Sequence, residues 1–240
     1  MDKSRYINEL LDDIQKIATL LEIHSINTSS IYTMKSNLDS NKPQIKYKLK
    51  PIKFLFKNNL RYPKIKSHKK VQNLELFFDM KVCIDYESLR DFKDPFYDFA
   101  FNIKIFGNEE SDLETKLIYT LHFDKHDGSV SPMPHPIYHF QLGGGELKDN
   151  ITDYGQALFL DSPRIMHHPM EFILGIDFVL SNFFPEIWND IKKKPDYFDT
   201  LKKYQEQFIQ PYFQSIANSF DSSLAQNWNA QEIYPQLIKR

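Results

Sequence analysis

The stretch Leu74–Asp85, L-E-L-F-F-D-M-K-V-C-I-D, sets Leu74, Leu76, Phe78, Met80, Val82 and Ile84 in one phase and Glu75, Phe77, Asp79, Lys81, Cys83 and Asp85 in the other. Successive side chains of a strand point to opposite faces, so this alternation predicts a long strand with one face on a core and one toward water. A half-buried strand belongs naturally to an antiparallel sheet, whose second face can stay wet.

The period of two extends to either side, from about Pro43 to Leu142. Phe99, Phe101, Ile103 and Ile105 alternate with Asp98, Ala100, Asn102 and Lys104, and residues 116–124 and 136–142 give two further strands. The connections are short enough for an antiparallel meander. Upstream, Tyr6, Ile7, Leu10, Leu11, Ile14, Ile17, Ala18 and Leu21 recur at steps of three and four, which predicts an amphipathic helix over 3–22. Ser25–Lys42, rich in Ser, Asn and Thr, is expected to be a connector.

Beyond Gly143-Gly144-Gly145 the pattern turns helical. Phe172, Ile173, Ile176, Val179, Leu180 and Phe183 predict a helix over 169–184 with Pro169 in its first turn. A short helix follows to Lys194, stopped by Pro195, and another runs from Tyr197 toward Phe220 with Pro211 as a kink or restart. Strands first and helices after define an α+β fold. The expected single domain, 1–240, has an N-terminal helix (1–24), a central antiparallel sheet of four to six strands (43–145) and a helical C-terminal third (156–226) on one sheet face.

Composition narrows the function classes. Twenty Phe and 13 Tyr supply a large core. The single cysteine, Cys83, excludes an intrachain disulfide framework and a multi-cysteine zinc site, and is expected to pack inertly in a reducing, cytoplasmic setting. The opening M-D-K-S-R-Y-I-N-E-L-L-D-D-I has acids where a signal peptide needs apolar residues, and no apolar run is long enough for a membrane span.

The net charge of −2 conceals a strong asymmetry. Asn41–Lys70 holds eleven Lys or Arg and no Asp or Glu. Lys46, Lys48 and Lys50 alternate with Ile45, Tyr47 and Leu49, so a strand there carries three cations on one face. Lys53, Phe54, Phe56, Lys57, Arg61 and Tyr62 continue the interleaving of cations with aromatics. Such a surface suits DNA or RNA, whose phosphates release counterions to cations and whose bases stack on aromatic rings. The same lysines would equally guard an edge strand against pairing with a second sheet.

Six of the eight histidines and six of the seven glycines fall between His122 and Gly175. In a hairpin of 118–124 with 136–142, Tyr119, Leu121, Phe123, Tyr138, Phe140 and Leu142 form an apolar layer. Thr120, His122, Asp124, His135, His139 and Gln141 then fall on the opposite face, together with Asp79, Lys81, Asn102 and Lys104. Two imidazoles and a carboxylate from adjacent strands suit a divalent metal or an acid–base pair. We expect His122, Asp124 and His135 as metal ligands, and His139, Asp79, Lys81 and Arg164 as catalytic groups. Asp79-Met80-Lys81 has the Asp-x-Lys spacing of metal-dependent nuclease strands, with Glu9, Asp12 or Asp13 as candidate helix carboxylates. The alternative is the ordinary wet side of a sheet.

Gly143-Gly144-Gly145 lacks the Lys-Ser/Thr of a phosphate-binding loop and is expected to be a turn. Arg164 and one of His167 and His168 either meet an anion near the following helix or dock against a carboxylate. Asp177 is expected on the exposed side of its helix. Two functions fit these features. One is a nucleic-acid-directed protein acting as a metal-dependent phosphodiesterase. The other is an interaction or small-anion sensor module, with Trp188, Tyr197, Phe198, Tyr204, Phe208, Tyr212 and Phe213 available for a protein partner or homodimer.

Overall fold

The computed structural model describes residues 2–40, 43–56, 71–109, 112–126, 128, 134–143, 164–221, 223–225 and 227–238. Helices α1 (Lys3–Ile23) and α2 (Ser29–Ser36) precede strands β1 (Gln44–Leu55) and β2 (Val71–Asp85). A short helix α3 (Tyr86–Arg90) leads to β3 (Phe96–Glu109), β4 (Asp112–Lys125), β5 (Tyr138–Leu142) and the two-residue β6 (Ile165–Met166). The remainder is helical: α4 (Phe172–Phe183), α5 (Pro185–Ile191), α6 (Pro195–Tyr204), a π-helical turn (Gln205–Ile209), α7 (Gln210–Asn218) and α8 (Ala230–Ile233). The fold is α+β, and its six strands run in sequence order, each antiparallel to its neighbours.

The alternation in Leu74–Asp85 decides which face is covered. Leu76, Phe78, Met80, Val82 and Ile84 are all buried, as are Phe99, Phe101 and Ile103 from β3 and Leu121 and Phe123 from β4. Helix α4 lies on this face at its centre. A Cβ on Gly175 would sit 2.9 Å from Phe101 Cε2 and 3.3 Å from Phe78 Cζ, so only glycine allows the helix to come this close. Phe178 packs edge-on against Phe101 and Phe123 with ring centroids 5.8 and 5.0 Å apart. Helix α1 completes the layer with Leu10, Ile14, Ile17 and Leu21.

The structure shifts several expected boundaries. Residues 29–36, expected to be part of a connector, form α2 because Ile31 and Met34 are buried together on one side of the turn. Helix α4 starts at Phe172 rather than in the turn holding Pro169, since Glu171 caps it by accepting from Leu174 N–H (2.9 Å). Pro195 opens α6 at its first turn instead of only stopping the helix before it. At Pro211 the expected irregularity is present: the α-helical hydrogen bonding is interrupted and resumes with Pro211 in the first turn of α7. The π turn at Gln205–Ile209 widens the helix just before the residue that cannot donate, and α6 passes through into α7. Asp177 is not a solvent-facing residue: its Oδ1 accepts from Trp188 Nε1 and Tyr197 Oη, both at 2.8 Å, tying α4 to α5 and α6.

The C-terminal aromatics expected to offer a docking surface are mostly core. Tyr197, Tyr204, Phe208 and Tyr212 are buried, whereas Phe198 and Phe213 are about half exposed. Among the described residues no helix is long and apolar enough to cross a membrane.

Candidate functional site

The face turned away from the helices carries the other phase of every strand. In β1 the exposed residues include Lys46, Lys48, Lys50 and Lys53, with a bulge at Lys50–Pro51 that keeps Lys53 on the same side. Register then fixes a row across the sheet: Lys48 faces Lys81, Lys81 faces Ala100, Ala100 faces Asp124 and Asp124 faces His139. The next row runs Asp79, Asn102, His122, Gln141. Lys46, Lys48, Lys50, Lys53, Asp79, Lys81, His122, Asp124 and His139 thus share one face, whereas Lys57 and Arg61 lie outside the described residues. Among the described residues β1 is also the edge strand, joined on its outer side by the bridge of Lys46 to Asp39.

A continuous polar chain links the second row. Asn102 Nδ2 donates to Asp79 Oδ1 (2.9 Å), which turns Asn102 Oδ1 toward His122 Nδ1 at 2.5 Å. The other ring nitrogen of His122 faces Asp124 Oδ2 at 2.9 Å. His122 therefore sits between two acceptors, an amide oxygen and a carboxylate. Each ring nitrogen of His122 is thereby held in place, so the imidazole is fixed in the plane between β3 and the carboxylate of Asp124.

The second oxygen of Asp124 serves a different imidazole. His139 Nε2 lies 3.0 Å from Asp124 Oδ1, out of line for a hydrogen bond, so this buried oxygen has an electrostatic contact but no hydrogen-bond donor among the described residues. His139 Nε2 is also 3.3 Å from His135 Nε2, and His135 stacks on His126 with ring centroids 3.7 Å apart. Burial raises the Asp124 carboxyl, but the His122 hydrogen bond and the charges of the surrounding imidazoles outweigh it and hold the group below its ordinary range. Burial pushes His139 down, with Asp124 pulling back and Arg164 adding to the fall. Burial and the neighbouring charges of His139, His126 and Arg164 push His135 down to about 4. His135 and His139 are consequently neutral bases at pH 7.

Arg164, immediately before β6, acts on the site by its charge on His135 and His139. Lys81 is ion-paired with Asp98 on the same face. His167 and His168 are not part of the arrangement. His167 lies among Phe123, Phe140 and Phe178, and burial pushes it down to about 4. Glu9 and Asp13 face the helical layer, where Lys203 of α6 reaches both (3.2 and 2.7 Å), so α1 lends Asp79 no carboxylate. Cys83 is buried, and burial raises its thiol. Gly143 adopts φ +75 as a turn glycine, while Gly144 and Gly145 lie outside the described residues.

The anticipated metal donors are close together but do not surround one point. Each carboxylate oxygen of Asp124 faces its own imidazole, and His135 contacts His139 instead. Among the described residues no group of three His, Cys, Asp or Glu side chains is arranged to hold a metal ion. Beside the histidines opens a cleft of about 980 Å³ lined by Asp85, Asp94, Asp98, Glu232, Lys125 and His135, among other residues. Its four carboxylates make it a poor receptor for a small anion.

Sequence reasoning overlooked His126, which stacks on His135. Compared with known proteins, the chain matches no family model, no curated protein and no solved structure.

Proposed function

We propose that this protein binds nucleic acid across the open face of its sheet and cleaves a phosphodiester bond there by general acid–base catalysis. The observation that carries this reading is the shared face. The same register that aligns Lys48 and Lys81 continues into Asp124 and His139. Lys46, Lys48 and Lys50 are exposed and make no ion pair among the described residues, so their charge is available to phosphates.

In the proposed step a neutral imidazole, His135 or His139, takes the proton of the attacking hydroxyl. That oxygen bonds to phosphorus as the leaving oxygen departs with the proton of His122. Lys81 and Arg164 offset the charge that builds on the phosphoryl oxygens. Asp124 holds both imidazoles and returns the proton balance between them.

Binding is tested by fluorescence anisotropy of a labelled oligonucleotide across a salt series. Affinity should fall steeply with salt, and replacing Lys46, Lys48 and Lys50 by Ser should lower the slope of log K against log salt by about 2, at about 0.7 per phosphate contact for a single strand. If the lysines only guard the edge of β1, the triple variant self-associates and its salt slope is unchanged. Failure to retain DNA or RNA at low ionic strength defeats the proposal. Cleavage that survives EDTA supports imidazole chemistry. Cleavage lost in EDTA and restored by a divalent ion overturns the metal-free imidazole mechanism.

A further inference from the structure

Two phenylalanines stand on the polar face of the sheet. Phe77 occupies the same phase of β2 as Asp79 and Lys81, opposite Lys53 on one side and Lys104 on the other. Phe106 lies on β3 opposite Glu75, in the same phase as Lys104. The two rings meet edge to face with centroids 5.5 Å apart, and the Lys53 ammonium lies 6.0 Å from the Phe77 ring. The neighbouring Phe78 and Ile105 are the residues that point into the core, whereas Phe77 and Phe106 are only partly buried, on the opposite face. Lys53 is paired with Glu75 (2.5 Å) beside the rings, and an aromatic pair on a sheet face that also carries the lysines of β1 suits a partner with both flat apolar faces and negative charge.

We infer that this face is a stacking platform for single-stranded nucleic acid, with unpaired bases on Phe77 and Phe106. The inference rests on the proposed nucleic-acid function and narrows its substrate to unpaired strands. A duplex hides the faces of its bases inside its own stack, whereas a single strand presents them. Charge supports the same occupant: Lys46, Lys48 and Lys50 are exposed along β1 and make no ion pair among the described residues. The placement also serves the chemistry. Phe77 is two residues from Asp79, and Lys104 two from Asn102, so the platform lies about 7 Å along the strands from the Asp79–Asn102–His122 row. A base seated on Phe77 brings the adjoining backbone over that row. Phenylalanine has no hydrogen-bonding group, so the platform tolerates any base.

The test compares a single-stranded pyrimidine oligonucleotide with the same sequence annealed to its complement, in anisotropy titrations of the full chain. The single strand should bind at least roughly tenfold more tightly, and Phe77→Ala should weaken it by about tenfold while leaving duplex affinity unchanged. Phe77→Trp, which keeps a ring, should retain single-strand binding, and matching melting temperatures for both variants establish that each is folded. Equal affinity for duplex and single strand, or a Phe77→Ala variant indistinguishable from the parent, overturns the platform and leaves the polyanion reading standing. Absence of binding to either form at low salt removes both.

Discussion

The two faces of one sheet are built from the same strands, yet they obey different rules. On the covered face, Phe78, Phe101 and Phe123 interlock with Gly175 and Phe178 of α4, and almost every position is apolar. On the open face solvation alone asks only for polar side chains. What stands there instead is a hydrogen-bonded chain from Asp79 through Asn102 and His122 to Asp124, with His139 and His135 beyond it. The covered face is explained by folding. The open face contains more chemistry than folding requires.

That contrast breaks first at the core. Phe101→Ala should cost about 3–5 kcal/mol in chemical denaturation, since the ring is fully buried against Phe78, Phe123 and Phe178. Phe77→Ala, one face over, should cost within roughly 0.5 kcal/mol. Similar costs at both positions would mean that the open face is packed by something and is not a free surface.

Next in size is the open face. Asp124→Asn should slow phosphodiester cleavage by roughly 10²-fold, because the amide no longer sets a carboxylate charge between His122 and His139. The melting temperature should change little. A variant with full activity would reduce the polar chain to the wet side of a sheet.

The smallest expected effect is a difference in pH response between the two sides. Glu171 is fully buried beneath the covered face, and burial pushes its carboxyl up to about 8, with the two backbone donors of α4 and Lys203 opposing and Asp13 adding. Tyr6, Tyr47 and Tyr204 surround it. Its folded form holds a proton that the unfolded chain releases above its ordinary 4.5, so stability falls as pH rises from about 4.5 to about 8. His135 and His167 act in the opposite sense. Both are held neutral down to about 4, so stability rises between about 4 and 6.5. Thermal stability should therefore peak near pH 6.5. Glu171→Gln, which keeps the cap on Leu174 N–H, should melt a few degrees higher than the parent above pH 8 and match it near pH 4.5. A flat profile in the parent chain would show that Glu171 reaches water.

Much of the fold was legible because burial follows period. Leu76 through Ile84, Phe99 through Ile105 and the stripe of α1 all point where their spacing says. The π turn at Gln205–Ile209 and the short helix α2 escaped, since both depend on what packs against them. The site was half legible. Strand parity put His122, Asp124 and His139 on one face with Asp79 and Asn102, but parity carries no distances. It did not reveal that Asp124 divides its two oxygens between two imidazoles, or that His135 turns to His139 and His126.

By itself the sequence determined the α+β class, the antiparallel sheet, the covered face and the concentration of lysine and histidine on the other, because apolar period and charge are local properties of the chain. Only the tertiary structure decided which polar neighbours touch, that Asp177 bridges three helices, and that Phe77 and Phe106 meet on the wet face. Those facts follow from cross-strand register and helix packing, which join residues far apart in sequence through geometry that local spacing does not encode.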